Sequence, residues 1–202
     1  MANKILGPQA LGPLTPLVGE WEGNNGVDLS YHNHDDEVGE TSYFEKAWFK
    51  PIPTQENGLQ ILEGLKYGIT DWRHGEEAMN PFHDEVGYLL WDKTNRQVMR
   101  VVVFGRGIAI IAGATADARD KTIHFEAMPN DPSYGILQNK YLMERAELKS
   151  FKGTFTFNED GSFTHETDIV LKLAAMGNKE MHHTDKITIH KVKNYHPSVE
   201  HN

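Results

Sequence analysis

From Thr41 to Val192, apolar and polar side chains alternate with a period of two, the apolar ones rich in β-branched and aromatic types. Polar turns break the alternation about every ten residues, which predicts an antiparallel β-meander. In Phe151-Lys152-Gly153-Thr154-Phe155-Thr156-Phe157 the phenylalanines share one face. Asn158-Glu159-Asp160-Gly161 then turns, and Phe163, His165, Ile169 and Leu171 answer on the return strand. A second hairpin joins Glu85–Trp91 to Gln97–Val103 through Asp92-Lys93-Thr94-Asn95, and a third turns at Gly105-Arg106-Gly107 into Ile108–Ala116.

Thr122–Met128 continues the meander, Ser42–Lys50 and Leu59–Trp72 precede it, and Lys186–Val192 reads as its last strand. Only Leu137–Lys149 carries a helical signal, with Leu137, Tyr141, Leu142, Ala146 and Leu148 toward one side. Parallel βαβ architecture is therefore not expected. About ten antiparallel strands in one domain must form a sandwich or close on themselves, and closure removes the exposed edges. The expected fold is all-β: a closed, fatty-acid-binding-protein- or lipocalin-like barrel over residues 14–193, opened by a short N-terminal helical turn. Residues 1–13 and 194–202 read as tails. A barrel of this size can hold a ligand inside.

Composition narrows the chemistry. The 202 residues carry a formal charge of −9, which disfavours nucleic acid and anionic membranes as partners. With no cysteine, disulfides, thiol nucleophiles, iron–sulfur clusters and thiolate zinc sites are excluded, so a metal would need His or carboxylate ligands. The 11 histidines are the first place to look for such chemistry. The N-terminus lacks an apolar core of signal-peptide length, and the uncharged run Gly107–Ala116 is too short to span a bilayer. A cytoplasmic protein without membrane insertion is expected. No G-x-S-x-G elbow, P-loop or dinucleotide fingerprint occurs.

Near the start stands Gly19-Glu20-Trp21-Glu22-Gly23-Asn24-Asn25-Gly26. Glycines around a tryptophan relieve crowding where a first strand bends and the indole plugs one end. Within an all-β meander the segment resembles the G-x-W-x-G-x-G opening of the nitrobindin family, fatty-acid-binding-protein-like barrels that include the haem-binding domain of THAP4-type proteins. His83-Asp84-Glu85-Val86-Gly87-Tyr88 is similar to that family's H-x-E-x-G-[YF] strand, and Arg106-Gly107-Ile108 with Gly113 to its next hairpin. The resemblance covers residues 14–192 and implies a ten-stranded barrel holding haem b through one His of the final strand. The activity it implies is peroxynitrite isomerisation. A gapless placement of Ile187–Val192 on the family's closing strand brings Thr184 to the iron-ligand position, and Thr is a poor axial ligand. His182 shares a strand face with Thr184, and His183 points to the opposite one. Asn24-Asn25 also inserts one residue before Gly26.

The resulting pocket set is Gly19, Trp21, Gly23, His83, Glu85 and Thr184, and the expected ligand is a small, largely apolar molecule bound without haem ligation or catalysis. Two alternatives stay open: a haem-binding peroxynitrite isomerase using His182 or His183, and a non-haem metal site at His32 and His34 beside Glu37. The stretch His32–Glu40 reads more simply as a solvated acidic loop, placed where it could cap the barrel mouth. His83 and Glu85 share a face, as do His165 and Thr167, so polar side chains inside the barrel are expected. Arg100 and Arg106 read either as anchors for a carboxylate or propionate or as surface residues beside a turn. Tyr134–Arg145 is long enough for a lid or a plain connection. A homo-oligomer is compatible with all of this.

Overall fold

The alternation closes into a ring. The computed structural model describes residues 8–76 and 80–195. After a 3-10 helix at Pro8–Leu17 come β1 (Gly19–His32), β2 (Glu37–Pro51), β3 (Gln55–Glu56), β4 (Ile61–Arg73), β5 (His83–Asp92) and β6 (Gln97–Phe104). Then follow β7 (Ile108–Thr115), β8 (Thr122–Ala127), β9 (Ile136–Gln138), the helix α1 (Lys140–Arg145), β10 (Ala146–Phe157), β11 (Phe163–Leu173) and β12 (Lys179–Lys193). Ten strands make the barrel in the order β2-β1-β12-β11-β10-β8-β7-β6-β5-β4, all antiparallel, and β2 pairs with β4 to close it. β3 and β9 lie outside the ring, on β4 and β7. Among the described residues no helix is long and apolar enough to cross a membrane.

One end of the barrel is plugged. The 3-10 helix drives Leu11, Leu14 and Leu17 into the core. Trp21 seals the junction: its indole Nε1 donates to the Leu17 carbonyl at 2.6 Å and its ring meets Phe163 edge-on. Lys191 of β12 ties down the same segment by donating to the carbonyls of Pro16 and Val18. Above the plug, Phe49, Phe125, Phe155 and Phe163 interlock edge to face, and Phe49 stacks on Tyr67.

The inserted residue in the first strand is absorbed as a bulge. Register shifts occur between Gly23 and Gly26 against β2 and between Glu22 and Val27 against β12. One extra residue exchanges the two faces of a strand beyond it. Trp21 is inward before the bulge, and Gly26 and Asp28 are buried after it. Gly26 is required there, because a Cβ would lie 2.3 Å from the Tyr43 ring.

Two expectations need correction. The helical signal over Leu137–Lys149 shrinks to Lys140–Arg145, because Ile136–Gln138 pairs with β7 and Ala146 onward belongs to β10. Asn139 caps that short helix with its side chain and pins it to the β6–β7 turn by donating to the Arg106 carbonyl. The run His32–Glu40 is a turn over residues 33–36 flanked by strand, since β1 extends to His32 and β2 begins at Glu37.

Candidate functional site

Above the aromatic plug, the inward positions change from apolar to ionisable. On β2 the inward series is Tyr43, Glu45, Ala47 and Phe49; on β4 it is Leu65, Tyr67, Ile69 and Asp71. Strand β5 contributes His83 and Glu85, β6 Arg100, β11 His165, β1 Asp28, and β12 His183 and Asp185. Pairing sets two carboxylate couples directly opposite one another: Glu45 with Asp71 across β2–β4, and Asp28 with Asp185 across β1–β12. Like charges directly opposite one another destabilise a sheet, so these couples are costly unless neighbours compensate.

Part of the compensation is visible. Arg100, 2% exposed, donates from Nη2 to Glu85 Oε1 at 2.6 Å and from Nε to the Tyr67 hydroxyl at 3.0 Å. Its guanidinium also lies over the faces of Phe151 and Phe155. Burial alone would raise the Glu85 pKa, but Arg100 and His83 overcome it and hold the pKa at about 2. Burial likewise opposes the charged form of His83. The hydrogen bond to Glu85, with the nearby charges of Glu85, Asp71 and Asp185, lifts His83 to about 9 instead.

His165 and Glu45 form the second buried couple, with Nε2 at 2.9 and 3.0 Å from the two carboxylate oxygens. Burial pushes His165 down to about 4, and burial with the charges of Asp185 and Glu85 pushes Glu45 well up. The pair therefore shares one proton, and burial favours its uncharged form, in which the Glu45 hydroxyl donates to Nε2. Asp71 is raised by burial and by Glu45, and Asp185 chiefly by burial. Asp28 goes the other way: His183, with Nε2 2.5 Å from Asp28 Oδ2, outweighs the burial that would raise it.

Toward the end opposite the plug, several inward residues are only half-buried, while Leu173 and Met181 at the far rim are buried. Phe104 and Ile108 face each other across the β6–β7 turn, and Ile169 and Leu171 of β11 continue the apolar wall. On the other side stand His83, His183 and Asp185. The mouth is thus two-faced, apolar along β6, β7 and β11 and polar along β1, β5 and β12. This arrangement can bury a hydrocarbon body while offering hydrogen-bond acceptors and charge to one end of it.

The sequence-predicted residues separate accordingly. His83 and Glu85 sit together in the inner layer, 3.3 Å apart. Gly19, Trp21 and Gly23 lie at the plugged end, where a Cβ on either glycine would meet a β12 backbone oxygen at 2.5 to 2.7 Å. Thr184 shares its face with Lys186, Thr188 and His190, which is the outer face, because Ile187 and Ile189 point into the core. His182 is also outside, paired with Asp168 at 2.7 Å. His183 is the last-strand histidine that faces inward. His32 contacts Thr41, and His34 lies exposed in the turn, so the extended run that would align them is broken. Among the described residues no group of three or more His, Asp or Glu is placed to hold a metal. Arg106 is exposed at its turn, whereas Arg100 is sealed inside.

Haem b brings an iron that seeks a free imidazole nitrogen and two propionates that seek cations. Here Asp28 occupies His183 Nε2, Glu85 occupies Arg100, and Asp28, Asp71 and Asp185 are the neighbouring charges. The residues present do not fit that group.

Sequence reasoning missed Tyr43, Glu45, Asp71 and Asp185, along with the interior position of Arg100. The signal was strand parity: each shares its face with core residues two positions away, as Asp71 does with Ile69 and Asp185 with Ile187.

A family model for the THAP4-like, heme-binding beta-barrel domain matches residues 10–191. The fold is similar to the crystal structure of Rv2717c from M. tuberculosis, with a TM-score of 0.63 and 18% identity over 92% of this chain and 98% of that one. At that identity the likeness concerns the fold. No curated protein matches the sequence.

Proposed function

The chain belongs to the THAP4-like, heme-binding β-barrel family, and from that membership we propose that it is a ligand-binding barrel that takes a small, largely apolar molecule without ligating haem. The observation that carries this reading is the two-faced mouth. The apolar wall of Phe104, Ile108, Ile169 and Leu171 stands half-buried above a sealed aromatic plug, so a ligand enters at one end. Burying apolar ligand surface against such a wall contributes about 25 cal/mol per Å² before the costs of association. The polar side orients the molecule. Against haem stand the outward Thr184 and His182 and the engagement of His183 by Asp28. Native mass spectrometry of the protein taken directly from its own cells tests the reading. A retained small organic mass supports it, and retained haem or an empty chain overturns it.

A further inference from the structure

On a barrel surrounded by water the outward strand positions are normally polar, because the inward ones alone line the core. One side of this barrel departs from that pattern. Strand pairing sets Val86, Val103, Ala109 and Leu137 in one outward row across β5, β6, β7 and β9. Tyr88, Val101 and Ile111 form the next row. No charged residue stands in either row, and Val103 is 51% and Leu137 75% exposed. Trp48 prolongs the first row, since its ring lies over Gly68, the neighbour of Val86 on β4. The far side of the barrel presents Glu166, Asp168, Lys186 and His190, so the apolar positions form a patch and not the girdle of a barrel in lipid.

We propose that this face joins two copies of the chain in an isologous dimer, through the outer sides of β5, β6 and β7. The surface lies outside the barrel, so its test stands apart from the ligand reading. Area is the first argument for a second copy. At about 100 Å² for each of the most exposed side chains, the rows offer about 500 Å² of contiguous apolar surface, most of the ~800 Å² that each partner buries in a standard interface.

Charge is the second argument. An acidic chain of formal charge −9 attracts basic partners through its carboxylates, and these rows contain none. Two copies of such a chain meet without repulsion only at a neutral face. The rim supplies the third argument. Strands β4 and β8 flank the face, each two places from β6, and carry opposite charges outward: Lys66 beside Tyr88, and Glu126 beside Gly113. A two-fold axis along β6 sets the β4 side of one copy toward the β8 side of the other, which brings a lysine toward a glutamate at both rims.

Sedimentation velocity of the full chain, up to about 200 μM, tests this. A dimer is expected, and Val103→Glu or Ile111→Glu should raise its dissociation constant at least about hundredfold, because the two-fold axis buries each new charge twice. His190→Glu, the same charge change on β12 at the opposite side of the barrel, should leave the constant within about threefold. Circular dichroism verifies that each variant is folded; if one of the first two is not, Leu137→Lys, at the most exposed position of the face, takes its place. A chain that stays monomeric throughout, a dimer that survives the charged substitutions, or one that His190→Glu dissociates as strongly overturns the proposal. Flotation of the monomer with phosphatidylcholine vesicles also overturns it and assigns the face to lipid.

Discussion

Glu45 stands directly opposite Asp71 on the β2–β4 ladder, with both side chains sealed inside the barrel. Both carboxyl groups are raised above their ordinary values by burial and by mutual charge. A raised carboxyl binds its proton more tightly folded than unfolded. Its favourable contribution is present below the unfolded pKa and is lost as pH rises through the folded one. Each unit of elevation corresponds to about 1.4 kcal/mol. Asp71→Asn is therefore expected to be more stable than the parent at pH 8 by about 1 kcal/mol or more, with the difference shrinking toward pH 4, as measured by urea unfolding across that range.

His83 adds to the alkaline limb. With its pKa raised to about 9, its contribution is complete below the unfolded value near 6.5 and disappears as pH passes 9. His83→Gln should remove that part of the decline between about pH 7 and 9.5 in thermal melts recorded at stepped pH.

The acid limb belongs to other groups. Glu85, held at about 2, contributes stability above its unfolded pKa that fades as pH falls from 4.5 toward 2. His165, pushed down to about 4, resists charging inside the barrel, so stability also falls as pH drops from 6.5 through 4. Arg100→Met, which strands the Glu85 charge, should cost about 3–5 kcal/mol at pH 7. The double variant Glu85→Leu with Arg100→Met should recover most of that loss in the same denaturation assay.

The outward face of Thr184 gives a test of strand parity. Thr184→His should add no Soret band when apoprotein is mixed with hemin, because the new imidazole lies outside the barrel. Asp28→Ala, which frees His183 Nε2, is the variant expected to gain hemin absorbance. A sharp band in Thr184→His would show that β12 runs in the opposite register.

At the plugged end, Leu14→Ala should cost about 2–5 kcal/mol through the cavity it leaves. Trp21→Phe should cost about 1–2 kcal/mol for the indole hydrogen bond to Leu17. Calorimetric melting of both variants checks the order.

The strand order of this barrel was legible because Phe151, Phe155 and Phe163 alternate so regularly and because Asn158–Gly161 turns where turn chemistry demands it. The inner acid layer was not legible, for a physical reason. Alternation reveals two faces but labels the inner one only by its apolar members, and Glu45, Asp71 and Asp185 carry the opposite label. Arg100 lies between Val98 and Val102 on one face, a position that a surface reading overlooks. Thr184, which a gapless placement brings to the iron-ligand position, lies on the outer face of β12. Asp28 was hidden further, since only the bulge at Asn24-Asn25 rotates it inward.

Strands β7 and β8 touch in register at a single pair, Gly113 with Glu126, whereas β9 takes over β7 at Ile108–Ile110. A groove of about 340 Å³ opens along this join, lined by Thr115, His124 and Tyr134 among others. The girdle of hydrogen bonds therefore behaves as a cuff with a slit. Its girth there is set by the inserted segment 134–138, whose Gly135 carbonyl accepts from Ile111 and whose Tyr134 carbonyl accepts from Met128, so a change in that connection rather than in β7 or β8 would alter the width of the barrel.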